Sequence, residues 1–148
     1  MIHVRTIAID APPAEVWRIL SEVGLWPEWL PTAEWIQVEG GPLHEGQRVR
    51  LKQPDRAPVG YRVAEVRPGE AFTWGRSGPL YREQAGHRVE PDGAGGSLAT
   101  LAFRLSGPLG DLAGRIGAEK VRGMVEQEAA ALKERAEAGR ARRPARDR

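Results

Sequence analysis

The chain has 148 residues, of which 41% are hydrophobic and 28% are charged, a composition that fits a single globular domain. It contains no cysteine, which excludes disulfides, a thiolate nucleophile and cysteine-ligated zinc. No segment approaches the roughly 18 consecutive apolar residues of a membrane span, and residues 1–10 lack the pattern of a secretory signal. These absences favour a cytoplasmic protein without stable membrane insertion.

The net charge of +2 divides unevenly between the body of the chain and its C-terminal tail. Residues 138–148 hold five arginines and one aspartate, whereas residues 1–137 hold 17 basic and 19 acidic residues. The body therefore lacks the basic character of a nucleic-acid-binding domain, and we expect no nucleic-acid partner. The tail has no large apolar side chain, so we expect a disordered basic extension after a domain that covers residues 1–137.

The first part of the chain predicts one strand followed by two short helices. β-Branched residues predict a strand over Ile2–Asp10, which the prolines after it terminate. Apolar residues at helical spacing predict an amphipathic helix over Ala14–Val23. A second helical turn follows over Leu25–Leu30 and ends at Pro31.

The middle of the chain alternates with a period of two, which predicts antiparallel strands. Gln47–Gln53 alternates between apolar and mostly cationic residues, as a strand with one solvated face does. Turns rich in glycine and proline separate the segments, most clearly at residues 91–96. The predicted strands are Ala33–Glu39, Gln47–Gln53, Val59–Val66, Ala71–Gly75, Leu80–Glu90 and Ser97–Ser106.

The last predicted element is a long helix. Pro108 stands where its first turn begins, and apolar residues recur at helical spacing from Leu109 to about Glu137. Four glycines in this segment each destabilise the helix by roughly 1 kcal/mol relative to alanine. Such small residues either permit close approach to a sheet or leave room beneath the helix. The whole order predicts an α+β fold, in which a curved antiparallel sheet of about seven strands wraps around the long C-terminal helix.

Five segments stand out in this order of elements: the opening strand and helix at 7–17, the tryptophan-rich segment 26–31, and the strings at 72–74, 87–90 and 105–109. With these motifs the chain resembles the START-like, or SRPBCC, superfamily, in particular its polyketide cyclase/dehydrase and lipid-transport group. The resemblance covers roughly residues 1–137 and implies a helix-grip fold with a cavity between the sheet and the long helix. It leaves the function open, because the superfamily includes aromatase/cyclases, lipid carriers, hormone receptors and oxygenase subunits.

Inward-facing aromatic and polar side chains are the candidates for the cavity. Strand periodicity places Tyr81, Glu83 and His87 on one face of their strand, and Val89 on that face indicates the interior. Glu83 and His87 are about 13 Å apart along the strand, too far for a direct hydrogen bond, so they would flank a ligand. Packing in an aromatic core remains the alternative for the tryptophans, and a satisfied position near the sheet edge remains the alternative for His87. The candidate lining residues are Trp26, Trp29, Leu51, Tyr61, Phe72, Trp74, Tyr81, His87, Phe103, Leu112 and Ile116.

Three functions remain open at this point. The favoured one is a binding module for an apolar small molecule, whether aromatic, polyketide-like or acyl. The second is a metal-free cyclase or dehydratase that uses His87, Glu83 or Tyr61 as acid and base groups. The third is a stress-response or interaction domain without a ligand. The three histidines are spread over separate elements, so we expect neither a metal nor a cofactor, and either a monomer or a homodimer fits.

Overall fold

The computed structural model describes residues 1–141. Within them the chain forms seven strands, two α-helices and one 3-10 helix, and the predicted fold class is confirmed. The elements in chain order are β1 (Ile2–Ile9), α1 (Pro13–Ser21), the 3-10 helix (Val23–Glu28), β2 (Trp35–Val38), β3 (Arg48–Lys52), β4 (Val59–Arg67), β5 (Ala71–Gly78), β6 (Tyr81–Pro91), β7 (Ser97–Ser106) and α2 (Pro108–Ala141).

The strands form one antiparallel sheet in the order β1-β7-β6-β5-β4-β3-β2. From β2 to β7 each strand pairs with its neighbour in sequence, as short turns require, whereas β1 pairs with the last strand, with Ile2 opposite Arg104. A register shift between Val63 and Glu65 interrupts the pairing of β4 with β5. Such a bulge bends its strand and increases the local twist.

The main core lies between the sheet and the two N-terminal helices. Helix α1 buries Val16, Ile19 and Leu20, which share one face at helical spacing. Trp26 of the 3-10 helix is buried, and its indole N–H donates to the Leu20 carbonyl at 3.0 Å, so the buried donor is satisfied. Trp17 packs edge to face on Phe72, with ring centroids 6.1 Å apart.

The C-terminal half of α2 packs on the sheet through Val125, Ala129, Leu132 and Ala136, all buried and at helical spacing. The helix continues through Ala141, four residues beyond its predicted end at Glu137. The expected boundary is wrong because most of these four residues favour helix strongly enough to outweigh the cost of one glycine. The rest of the predicted disordered tail, residues 142–148, lies outside the described residues. In residues 1–141, no helix has the length and apolar character that a membrane crossing requires.

Candidate ligand-binding site

Two adjoining spaces separate the sheet from α2. The larger, which we call the groove, has a volume of about 410 Å³, opens to solvent, and lies against the N-terminal half of α2. The smaller, which we call the chamber, has a volume of about 70 Å³ and lies deeper, against the buried aromatic side chains. The two spaces share four lining residues, and the side chains of these residues separate one space from the other. They are Arg56, Phe103, Val121 and Met124.

Small residues on α2 create the groove. Gly110, Ala113 and Gly117 line it, and a Cβ atom at Gly117 would have no heavy atom within 4 Å. Opposite them the apolar walls are Phe103 and Leu105 of β7. The glycines that weaken this helix therefore leave room beneath it, one of the two roles that the sequence allowed.

Leu112 and Ile116 do not line either space, which corrects the prediction for both. They are 54% and 81% exposed and lie on the solvent side of α2. The two residues have helical spacing, but spacing alone leaves the rotational phase of a helix open. That phase is set by Leu132 and Val125, which bury the opposite side further along the helix. Because α2 is one continuous helix of 34 residues, the same orientation extends to its first turns and directs Leu112 and Ile116 toward solvent.

The other predicted lining residues divide into two groups. Trp29 and Phe72 line neither space. Trp29 packs edge to face on Trp26 with ring centroids 5.8 Å apart, and Phe72 stacks on His87 at 4.3 Å. Those that line a space are Trp26, Leu51, Tyr61, Trp74 and His87 in the chamber, Tyr81 in the groove, and Phe103 in both.

Trp35 faces solvent and belongs to neither space. It is 36% exposed on β2, and the guanidinium carbon of Arg50 lies 5.9 Å from its ring centroid. Of the five tryptophans, Trp26 and Trp74 are therefore the two that line the chamber.

His87 meets an acidic partner from α2 inside the chamber. Its Nε2 atom lies 3.3 Å from Oε1 of Glu128, and both side chains line the chamber. Among the described residues, neither the buried Nδ1 atom of His87 nor the buried Oε1 atom of Glu128 has a hydrogen-bond partner, so the 3.3 Å contact is a close approach of the two groups and not a hydrogen bond. Glu128 was missed because nothing in the local sequence of β6 points to a residue on α2. The sequence does contain one signal for Glu128, since this carboxylate lies within the apolar stripe that Met124, Val125 and Leu132 form.

Glu83 occupies a different position, in the lining of the groove and not of the chamber. Its side chain is 1% exposed and accepts hydrogen bonds from the Tyr61 hydroxyl at 2.7 Å, Arg76 Nε at 2.7 Å and Arg56 Nη2 at 3.2 Å. Burial by itself would raise the pKa of Glu83, but the hydrogen bonds from Tyr61 and Arg76 and the charge of Arg56 outweigh it and hold the pKa below its ordinary value. Glu83 is therefore an ionised carboxylate whose oxygens are already occupied.

Tyr61 is the counterpart of this carboxylate. Burial, together with the negative charge of Glu83, raises the pKa of Tyr61 far above its ordinary value. Its ring stacks on Trp74 with centroids 5.6 Å apart and an interplanar angle of 12°. The hydroxyl proton is thus committed to Glu83. Of the three candidate acid and base groups, only His87 has a buried polar side-chain atom, Nδ1, without a hydrogen-bond partner within residues 1–141.

The arrangement has no metal-binding character in the part of the chain that the structure describes. No three histidine, aspartate or glutamate side chains of residues 1–141 lie close enough together to hold an ion. The chemistry on offer is therefore apolar contact, a few charged groups at the rim and one buried imidazole–carboxylate contact.

Comparison with known proteins agrees with this architecture. Residues 1–137 match the family described as polyketide cyclase / dehydrase and lipid transport. No curated protein sequence matches the chain significantly.

Several solved structures share the fold. The Zhui aromatase/cyclase from Streptomyces sp. R1128 superposes with a TM-score of 0.72 at 18% identity, covering 93% of each chain. A START superfamily protein from Mycobacterium smegmatis gives a TM-score of 0.69 at 16% identity, covering 93% of this chain and 97% of that one. The di-domain ARO/CYC BexL from the BE-7585A biosynthetic pathway gives 0.65 at 24% identity, with 90% of this chain and 45% of BexL covered. At these identities the likeness establishes the fold.

Proposed function

The chain belongs to the polyketide cyclase/dehydrase and lipid transport family, and from this premise we propose that it binds an apolar small molecule between the sheet and α2. The ligand class is an aromatic, polyketide-like or acyl compound. The observation that carries the proposal is the groove of about 410 Å³, which small residues on one face of α2 keep empty.

The size and the lining of the groove support this class of ligand. Pockets for small molecules usually measure roughly 300–1,000 Å³ and combine apolar walls with a few polar groups. The groove combines apolar side chains of β7 and α2 with three cationic ones, Arg56, Arg76 and Lys120. Arg56 and Arg76 already bind Glu83, which leaves Lys120 as the cation with no ion-pair partner within residues 1–141.

The chamber supports a directional mode of binding. Its volume of about 70 Å³ corresponds to roughly two water molecules, so it admits one end of a ligand and not the whole molecule. Met124 and Phe103 stand between the two spaces, and a methionine side chain adapts its shape easily. A ligand lying in the groove would therefore direct one end past Met124 toward His87 and Glu128.

One observation favours a second candidate function, proton transfer to or from the bound ligand. A carboxylate that faces one ring nitrogen of a histidine can orient the ring and stabilise its cation, which is how acid–base histidines are commonly supported. His87 has such a neighbour in Glu128 at 3.3 Å, and its other nitrogen is unpartnered within residues 1–141. In this case the reaction would be of the cyclase or dehydratase type, with His87 as the acid or base.

A pair of matched substitutions on α2 tests the binding proposal. Gly117 lines the groove and Gly123 does not, yet a Cβ atom at either position has open space around it. We expect Gly117→Leu to fill the groove and weaken the binding of an apolar dye such as Nile red by at least about tenfold, since a leucine removes about one side chain's volume of apolar binding space.

The control is Gly123→Leu, which adds the same side chain to the same helix and should leave dye affinity unchanged. Both variants should fold, since leucine favours helix more than glycine does. Equal dye binding by the two variants, or no dye binding by the wild type, would contradict a ligand site in the groove.

A further inference from the structure

The outer face of the sheet, opposite α2, carries a concentration of arginines that ligand binding in the groove does not use. The register places Arg48, Arg62, Gly75, Gln84 and Arg104 side by side in one row across β3, β4, β5, β6 and β7. Two residues along each strand, a second row contains Arg50, Gly60, Ser77, Arg82 and Ser106. Neither row contains a carboxylate, although residues 1–137 as a whole carry more acidic than basic side chains.

These arginines are not neutralised by the protein. Within residues 1–141, none of Arg48, Arg50, Arg62 and Arg82 forms an ion pair, whereas Arg5, Arg18, Arg56, Arg67, Arg76, Arg88 and Arg135 all do. Arg48 stands directly opposite Arg62 in the register of β3 and β4. Like charges in directly opposed positions of a sheet destabilise it, so this pair lowers stability unless an anion neutralises it.

The same surface is concave. A depression of about 560 Å³ lies over β3, β4, β5 and β6, and we call it the arginine bowl after four of its lining residues, Arg48, Arg50, Arg62 and Arg82. Glu83 also lines it, but its carboxylate oxygens accept hydrogen bonds from Tyr61, Arg56 and Arg76. Its small residues are Gly60, Ala64, Gly75 and Ser77, and a Cβ atom at Gly60 would meet no heavy atom within 4 Å. The bulge between Val63 and Glu65 adjoins the bowl and bends β4.

From these observations we infer that the arginine bowl is a binding site for a compact phosphate-bearing anion, such as a diphosphate group. A guanidinium group matches two phosphate oxygens in a paired, planar arrangement, and arginine is the side chain best suited to this contact. The strands that carry Arg62 and Arg82 lie about 10 Å apart, so side chains from both rims converge over one such group. Gln84 and Ser77 supply further donors beside it.

The shape of the bowl favours a compact ligand over a nucleic acid. An extended polyanion would require a continuous basic surface, whereas Gly75 and Ser77 interrupt the arginines in the middle of the two rows. A free diphosphate and the phosphate of a lipid headgroup share the chemistry that the bowl would recognise. Separate measurements are therefore needed to distinguish these two sources.

The test is a titration of nitrogen-15-labelled protein with pyrophosphate at constant ionic strength, followed by NMR. We expect saturable shifts of the Gly60 and Gly75 amides and of the Trp35 indole N–H, because Trp35 stacks with Arg50. The double variant Arg48→Gln/Arg62→Gln should lose at least about tenfold in affinity, since it removes two charge-assisted contacts. The ligand-free double variant should be at least as stable as the wild type, because the like-charge pair is gone.

Two further variants make the result specific. Arg115→Gln/Arg122→Gln removes two exposed arginines of α2 that form no ion pair within residues 1–141, and it should bind pyrophosphate as the wild type does. Gly60→Leu fills the bowl without changing its charge and should weaken binding as strongly as the loss of the two arginines.

Vesicles that contain phosphatidic acid, compared with phosphatidylcholine alone, identify the source of the phosphate. Competition with pyrophosphate by the former assigns the bowl to lipid headgroups, and lack of competition assigns it to free phosphate compounds. Equal loss of affinity in the bowl variants and the α2 control, shifts away from the bowl, or binding of duplex DNA without competition by pyrophosphate would each overturn the inference.

Discussion

The hydroxyl of Tyr61 on β4 donates a 2.7 Å hydrogen bond to Oε1 of Glu83 on β6, passing over the intervening strand β5. Together with Arg56 and Arg76, this contact closes a buried polar cluster at the border of the two ligand spaces. Buried networks of this kind are costly to break, because each removed member leaves its partners unsatisfied.

The first prediction is that Glu83→Gln destabilises the protein by about 2–3 kcal/mol, because it leaves two arginines without their carboxylate. Tyr61→Phe should cost less, about 1–2 kcal/mol, since Glu83 keeps both arginines. Urea unfolding of the three proteins measures the difference. Equal stability of wild type and Glu83→Gln would show that the cluster makes no net contribution to the free energy of unfolding.

The second prediction concerns pH. The pKa of Glu83 in the folded protein lies below its ordinary value of 4.5, so folding favours the ionised form. The stability that this adds is present above the unfolded-state pKa and is lost as the pH falls through the folded-state pKa. We therefore expect the advantage of wild type over Glu83→Gln to be constant above pH 5 and to shrink below about pH 4.5. An advantage that grows on acidification would contradict the assignment of the charge.

The third prediction separates binding from catalysis. In a carrier, His87→Phe should keep or tighten ligand binding, because it removes a polar group from a position among the buried aromatic rings of the chamber. In an acid–base enzyme the same change should lower turnover by about 10²–10⁴-fold while binding persists. Combining it with Glu128→Gln avoids leaving an unpaired carboxylate beside the new ring.

The control for this experiment is His44→Phe, since His44 is exposed and lines neither space. We expect the result predicted for a carrier, namely that His87→Phe keeps or tightens ligand binding. A substrate whose conversion collapses in His87→Phe but survives in His44→Phe would establish the catalytic role instead.

The fourth prediction follows from the phase of α2. Ile116 is 81% exposed, so Ile116→Glu should change the free energy of unfolding by no more than about 0.5 kcal/mol. Leu132 is fully buried, so Leu132→Ala should cost about 2–5 kcal/mol. Thermal or urea unfolding gives both values. A large loss in Ile116→Glu would mean that this residue packs inward.

Much of the architecture follows from local sequence patterns. The period of two in Gln47–Gln53 and the turn at residues 91–96 depend only on neighbours in the chain, so β3 and the β6–β7 hairpin were predictable. The inward orientation of Glu83 and His87 follows equally from alternation along one strand, which fixes the face once Val89 is buried.

The partners of those side chains were decided only by the tertiary structure. Glu128 reaches His87 from a helix that packs on the sheet, and the rotation of that helix depends on how Leu132, one turn beyond Glu128, packs in the core. Helical spacing determines which residues of α2 share a face but not which face meets the sheet, and for this reason Leu112 and Ile116 were assigned to the wrong side. The sequence by itself thus determined the elements and which residues share a face of each element. The tertiary structure decided which faces meet and which side chains pair, because those contacts join residues that are distant in the chain.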